Sequence, residues 1–390
     1  MTLFLGVGAA TAAAHIGNNF TTFLIGGLID RFGFTPVEMG VWSMAEMLAY
    51  AAAMFIIAPR VARVSPRLLF VVAGALVVAA QLASATMVSF TPLLGGRLVS
   101  GVGFGLANTA LNLSAGRAAH PARAISIGIA CQTALYALIN IGLPMVGEVH
   151  GVAGEFVALA GLSAVFTLAA GWLPGGRAPG ETATDKTAGQ TAHGGPLGAD
   201  AWRVLVAMAL FTFGSMAIWP FIERAAHAIS ISAVQYGRYQ SLTTILSALG
   251  SVALAAVAAR LPRAMPIAVA LLACGVSCAA VTTVATGWAF GLALIGLNVG
   301  FFITYALLLG VAFEVEANGR LAVLCSATWL TMMALGGFAT GFIAQTLGNY
   351  RAVGPLGLAI CVLGVVTIWP LARRLDKTDG GPRARVSVAH

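Results

Sequence analysis

Charge is what this chain has little of. Of its 390 residues only 9% are Asp, Glu, Lys or Arg, while 59% are hydrophobic; soluble domains carry about a quarter charged residues. So few charges cannot clothe a water-exposed surface, which excludes an ordinary soluble fold. Lysine is almost missing, present at 186 and 377 alone, and the net charge of +8 comes from arginines scattered over short loops. No basic face with interleaved aromatics forms, so no nucleic-acid partner is expected. Cysteine is scarce and unpaired: Cys131, Cys274, Cys278, Cys325 and Cys361 all lie inside apolar runs without a CxxC pair. Cys274 and Cys278 are one helical turn apart but lack His or carboxylate neighbours, so no metal is expected. A Walker loop, a nucleophile elbow and HExxH are absent. Neither an ATP-driven pump nor a familiar membrane enzyme has a supporting motif, the chain reads as a non-enzyme, and no cofactor is expected. The first apolar run lacks a basic start and outlasts a signal core, so it reads as the first span.

What is present is a series of apolar runs of about twenty residues, the length of a helix that crosses a hydrocarbon core of about 30 Å. Polar breaks place helices near 3–29, 36–58, 68–89, 92–116, 122–147 and 155–174, then 203–222, 234–259, 265–285, 287–312, 319–345 and 353–373. Residues 175–201 are rich in Gly, Ala, Thr and Pro and read as a flexible linker. The expected organisation is an N-terminal six-helix bundle (1–174), the linker (175–201), a C-terminal bundle (202–376) and a tail (377–390). With both termini cytoplasmic, sixteen basic residues fall on inner loops, linker and tail, four (Arg31, Arg224, Arg238 and Arg351) on outer loops, and Arg97 inside a span. That bias fits twelve spans and would blur with one helix more or fewer.

The halves are related. A shift of 197 residues aligns Thr35 with Ser232, Gly40 with Gly237, Arg63 with Arg260, Gly103 with Gly300 and Arg123 with Arg320, and Val102-Gly103-Phe104 repeats as Val299-Gly300-Phe301. One constant shift across four helices indicates duplication. Two six-helix halves, a central cytoplasmic linker and basic loops after helices 2 and 8 resemble the major facilitator superfamily of transporters. Arg97-Leu-Val-Ser-Gly101-Val-Gly103 matches that family's Arg-xxx-Gly-x-Gly pattern in helix 4. The loop after helix 2 keeps Arg60, Arg63 and Arg67 but lacks the family's Asp, and the antiporter motif of helix 5 appears only as Gly142-Leu-Pro144-Met-Val-Gly147, with an extra residue. The resemblance implies an all-α integral membrane protein of twelve transmembrane helices in two pseudo-symmetric bundles, a monomer in the lipid bilayer of a bacterial inner membrane, and a central cavity lined by helices 1, 4, 7 and 10.

Charges within spans need a reason, and Glu46 and Arg97 are the two that stand out. Glu46 reads either as a proton-coupling carboxylate, with His15 as a relay, or as half of a permanent pair with Arg97. His15, Asn18, Asn19 and Thr22 are spaced to form one stripe on helix 1, which either faces the cavity or bonds neighbouring helices. Helix 5 offers Gln132, Tyr136 and Asn140, helix 7 offers Ser215 and Trp219, and helix 10 offers Asn298 and Tyr305. The candidate substrate-binding set is therefore His15, Asn18, Asn19, Arg97, Gln132, Tyr136, Trp219, Asn298 and Tyr305. Asp30-Arg31 and Glu223-Arg224 close helices 1 and 7 and read as an outer gate. The expected function is alternating-access movement of a small organic solute, coupled to protons. A second reading, motivated by the altered loop after helix 2, is a membrane sensor or assembly factor that does not transport.

Overall fold

The structure is a computed structural model and describes residues 2–57, 64–116, 121–175, 197–257, 262–316 and 320–378. Arg60, Arg63, Arg117 and Arg260, most of the expected linker and the tail beyond 378 lie outside the described residues. The elements are α1 (Thr2–Phe32), α2 (Pro36–Ile57), α3 (Pro66–Thr86) and α4 (Phe90–Gly116), followed by one helical stretch, Pro121–Leu168. Gly151 interrupts that stretch with φ 63 and ψ −171, a conformation that glycine adopts without a Cβ penalty. It divides the stretch into α5 (121–150) and α6 (152–168), and the chain doubles back so that Gly147 packs on Glu155. A 3-10 turn, Ala169–Trp172, ends this half.

In the second half α7 (Ala199–Met216) continues through a 3-10 turn at Trp219–Phe221 into a short helix, Ile222–His227. The break falls at Pro220, which has no N–H to give the preceding turn. The Ala217 carbonyl beside the break accepts a 2.8 Å hydrogen bond from Thr340 Oγ1 instead. Then come α8 (Ala233–Val257), α9 (Ala264–Thr283), α10 (Gly287–Val315), α11 (Arg320–Leu347) and α12 (Val353–Thr378). At α3 the local logic is plain: Ser65 caps the helix through Leu68 N, Pro66 follows at the first turn, and apolar residues continue to Thr86.

Eight of the described helical stretches are long and apolar enough to cross a membrane, the α5–α6 hairpin from Gly128 counting as one. This is a multi-pass membrane protein. α1 and α4, which fall outside that set, carry His15, Asn18 and Asn19, and Arg97 and Asn108; polar residues on a span are kept from lipid by turning to neighbouring helices.

The two halves use the same internal contacts: α1 packs on α4, as α7 does on α10; α3 packs on α4 and α6, as α9 does on α10 and α12. The 197-residue repeat holds at a helix crossing within each half. Gly103 packs on Val77, and 197 positions later Gly300 packs on Cys274. The halves meet where α2 lies on α11 and α5 on α8. Here a Cβ on Gly40 would stand 2.9 Å from the Gly337 carbonyl oxygen, and one on Gly237 would strike the Asn140 carbonyl oxygen. Gly40 and Gly237 are 197 apart, and so are Asn140 and Gly337, so the two junctions are one contact repeated by a pseudo-two-fold axis. Close approach of backbones is what small residues permit at such crossings.

Candidate functional site

The bundle has two ends, one carrying the start of α1, the end of α2 and the end of α12, the other, called distal here, carrying the α1–α2, α3–α4 and α5–α6 turns. α1 separates two chemically different environments between them. At 100° per residue, Gly17 and Thr21 lie on the opposite side of the helix from His15, Asn18, Asn19 and Thr22.

The Gly17 side faces into the first half. Arg97 Nη1 lies 2.7 Å from Glu46 Oε2, and its Nη2 donates to Thr21 Oγ1. The guanidinium also sits 3.8 Å from the centre of the Trp42 ring, whose Nε1 donates to the Leu93 carbonyl at 3.2 Å. Glu46 is fully buried and Arg97 is 2% exposed. The glycine at 17 makes this possible, because a Cβ there would approach Glu46 Oε1 to 2.8 Å. Every partner of this pair belongs to α1, α2 or α4. Tyr136 belongs to the same half: its hydroxyl donates to the Ala12 carbonyl at 2.6 Å and its ring packs edge-on against Phe20.

The stripe side of α1 faces the second half. Trp219 Nε1 donates to the Asn18 carbonyl at 3.2 Å, and Glu223 N donates to Thr22 Oγ1 at 3.1 Å. Phe23 packs on Tyr236, with ring centres 5.3 Å apart. At the rim Arg224 grips Asp30 with both terminal nitrogens, at 2.5 and 3.0 Å, and its Nε lies 3.2 Å from Glu223 Oε2. Val37 N donates to Gln345 Oε1, and Asn140 Nδ2 donates to Thr244 Oγ1. These contacts form a seal from the distal rim to Asn18, midway along α1.

On the terminal side of Asn18 the polar residues are half-buried. His15 Nδ1 bonds the Thr11 carbonyl, Asn19 Nδ2 donates to the His15 carbonyl, and Gln132 on α5 is half-exposed at a similar depth. Across the bundle Tyr305 shares a 3.1 Å hydrogen bond with Ser326 and its ring stacks on Phe301 and meets Trp329. Asn298 is buried and donates to the Leu294 carbonyl of its own helix.

The structure thus brings Asn18 and Trp219 together and makes Asp30, Glu223 and Arg224 one cluster. Arg31 stands outside it, over the Phe32 ring. Arg97 and Tyr136 sit within the first half, away from the stripe. A further acidic residue joins the cluster: Glu155 on α6, 5% exposed and packed against Gly147. Sequence reasoning missed it because residues 148–154, with Glu148, His150 and two glycines, read as a loop. The one-residue reversal at Gly151 carries helix through that segment and sinks Glu155 into the bundle.

No protein-family model matches this sequence, and no curated protein matches it. Solved structures do match its fold. A mutant of the nucleoside transporter NupG superposes with a TM-score of 0.74 at 14% identity, covering 95% of this chain and 99% of that one. The unaltered NupG structure gives 0.71 at 12% identity. A D-xylose-proton symporter gives 0.74 at 11% identity, covering 94% of this chain and 96% of that one. Over nearly its whole length, this chain therefore has the fold of the major facilitator superfamily, twelve helices in two pseudo-symmetric halves.

Proposed function

We infer that the protein is a secondary transporter that moves a small organic solute by alternating access, seen with its distal side closed. The observation that carries the reading is the seal itself. It joins the two halves and, among the described residues, runs from the distal rim to the polar stripe of α1. A closure of that form leaves a site near the midplane reachable from the terminal side, the arrangement an alternating-access carrier requires. Its neighbours in fold, a nucleoside transporter and a sugar–proton symporter by name, support the same reading.

In this reading the distal side faces out of the cell and both termini face the cytoplasm, as the basic inner loops favour. His15, Asn18, Asn19 and Gln132 contact the solute from the first half; Trp219, Tyr305 and Asn298 act from the second, with Trp219 as the lid that closes over it. Uncharged donors beside aromatic rings suit a polar solute with a flat or ring-shaped body. The solute and its coupling protons are the partners. Glu46 is held against Arg97 and Trp42 on the far side of α1, which favours a structural pair over a proton carrier.

The test is counterflow in proteoliposomes loaded with candidate solutes. Uptake of labelled solute against an internal pool, with KM raised or rate lowered at least about tenfold by Asn18→Ala or Tyr305→Ala, is expected for contact residues. The absence of saturable counterflow for every solute that stabilises the purified protein would favour the non-transporting sensor instead.

A further inference from the structure

We propose that Glu155 and Glu223 form a proton-binding site within the distal seal, so that the seal closes with a proton held between them and opens when that proton leaves. The proposal rests on the transporter reading and gives the distal seal a proton-sensitive latch at the junction between the halves, separate from Glu46.

Asp30 and Glu223 gather here around Arg224, and Glu155 lies beside Glu223 without reaching the guanidinium. The guanidinium gives both terminal nitrogens to Asp30, and only its Nε, at 3.2 Å, reaches Glu223. Glu155 is 5% exposed and Glu223 4%. Glu155 Oε2 is buried without a hydrogen-bond partner, and Glu223 Oε2 has its ion pair but no hydrogen bond. The two carboxylates lie against adjacent residues of α1. A side chain on Gly26 would collide with the Glu223 carboxylate, and a Cβ on Gly27 would come within 3.4 Å of Glu155 Oε2. Glu155 is within electrostatic reach of Glu223.

The other titratable and charged groups do not relieve this crowding. Tyr236 from α8 and Tyr350 from the α11–α12 turn approach Glu223, and neither is a cation. Glu148 and His150 at the end of α5, and His227 after Arg224, are exposed. Arg31 turns to Phe32. Among the described residues no group of three or more His, Cys, Asp or Glu is arranged to hold a metal ion, which favours a proton over a metal as the missing positive charge.

Two buried carboxylates, of which only Glu223 reaches the guanidinium, leave an anion without compensation, and burial makes such a charge costly. A proton removes that charge and supplies an O–H donor for an oxygen that has none. When the halves part at the distal end, Glu155 stays with α1 while Glu223 leaves with α7. Both then meet water, the carboxyl O–H bond breaks, and the proton passes to water on the distal side. Closure takes a proton up from that side by the reverse step.

Spin labels at Val88→Cys and Ala285→Cys test this in lipid nanodiscs, with the native cysteines replaced. Both positions are exposed on equivalent distal turns, one in each half. Proton release favours the open form, so raising pH should lengthen the label distance, with the closed-to-open ratio falling about tenfold per pH unit for one linked proton. The Glu155→Gln, Glu223→Gln double variant carries neutral amides and should keep the short distance at every pH. A distance independent of pH in the native protein, an unchanged curve in the double variant, or a curve moved by sodium in place of potassium would each overturn the proposal. Should the double variant not fold, infrared spectra of the native protein decide: a protonated-carboxyl band must vanish in step with opening and be missing from Glu155→Gln. A closed seal without that band overturns the site. Solute counterflow that persists beside a pH-independent seal removes the proton site and leaves the transporter reading intact; loss of all counterflow removes the transporter reading while the seal's pH response stands by itself.

Discussion

Two clusters of charge in this protein look alike in composition and differ in where their partners sit. Arg97 and Glu46 are enclosed by α1, α2 and α4 of a single half, with Thr21 and the Trp42 ring completing the guanidinium's surroundings. Arg224, Asp30, Glu223 and Glu155 come from both halves and meet only where the distal seal is closed. A charge whose partners travel with it is a fixture of one rigid body. A charge whose partners are divided between two bodies changes its energy whenever those bodies move, and that difference makes it able to couple chemistry to conformation.

The sharpest way to break the comparison is at Arg97. Arg97→Ala leaves Glu46 buried alone and should lower stability by about 3–5 kcal/mol, while Glu46→Leu with Arg97→Met should recover most of it. Thermal unfolding in detergent measures both. A stable Arg97→Ala protein with an altered label distance would place this pair, too, in the moving machinery.

The next largest effect belongs to the seal's backbone contacts. Gly40→Val and Gly237→Val force a side chain against the facing carbonyl and should each disfavour closure by about 1–3 kcal/mol. The pseudo-two-fold axis demands that both shift the Val88–Ala285 label distance in the same direction. Opposite shifts would mean that the two junctions do different jobs.

Arg224→Lys removes the two-pronged grip on Asp30. Because Asp30 is 61% exposed, solvent screens the pair and the expected loss is only about 0.5–1 kcal/mol of closure. It should appear as a modest rise in distal opening, with no change in unfolding temperature. Tyr136→Phe should do the reverse: loss of the bond to the Ala12 carbonyl costs about 1 kcal/mol of stability and leaves solute affinity, measured by equilibrium binding, unchanged.

The helices were legible because a membrane imposes a crude and strong rule, about twenty apolar residues per span. The expected ends at 58, 89, 116 and 285 lie close to the observed ones at 57, 86, 116 and 283. The helix-1 stripe was legible as well, since 3.6-residue spacing assigns His15, Asn18, Asn19 and Thr22 to one face whatever surrounds them. Glu46 and Arg97 could be paired from depth alone. Glu155 could not be found, because its burial depends on the chain reversing at a single glycine. The distinction between Tyr136, tied to Ala12, and Gln132, half-exposed on the same helix, was likewise invisible, since the two are four residues apart and share a helix face.

Read along the chain, the residues specify the solvent this protein lives in, the number of helices, the relation between its halves and the 197-residue register of their repeat. Composition and periodicity are properties of a chain, and the bilayer reads them directly. Which charges are neighbours, which rim is closed, and which glycines let helices touch were decided only by tertiary structure. These depend on residues such as Gly40 and Gly337, or Gly27 and Glu155, that are far apart along the chain and meet only when two packed halves close on one another.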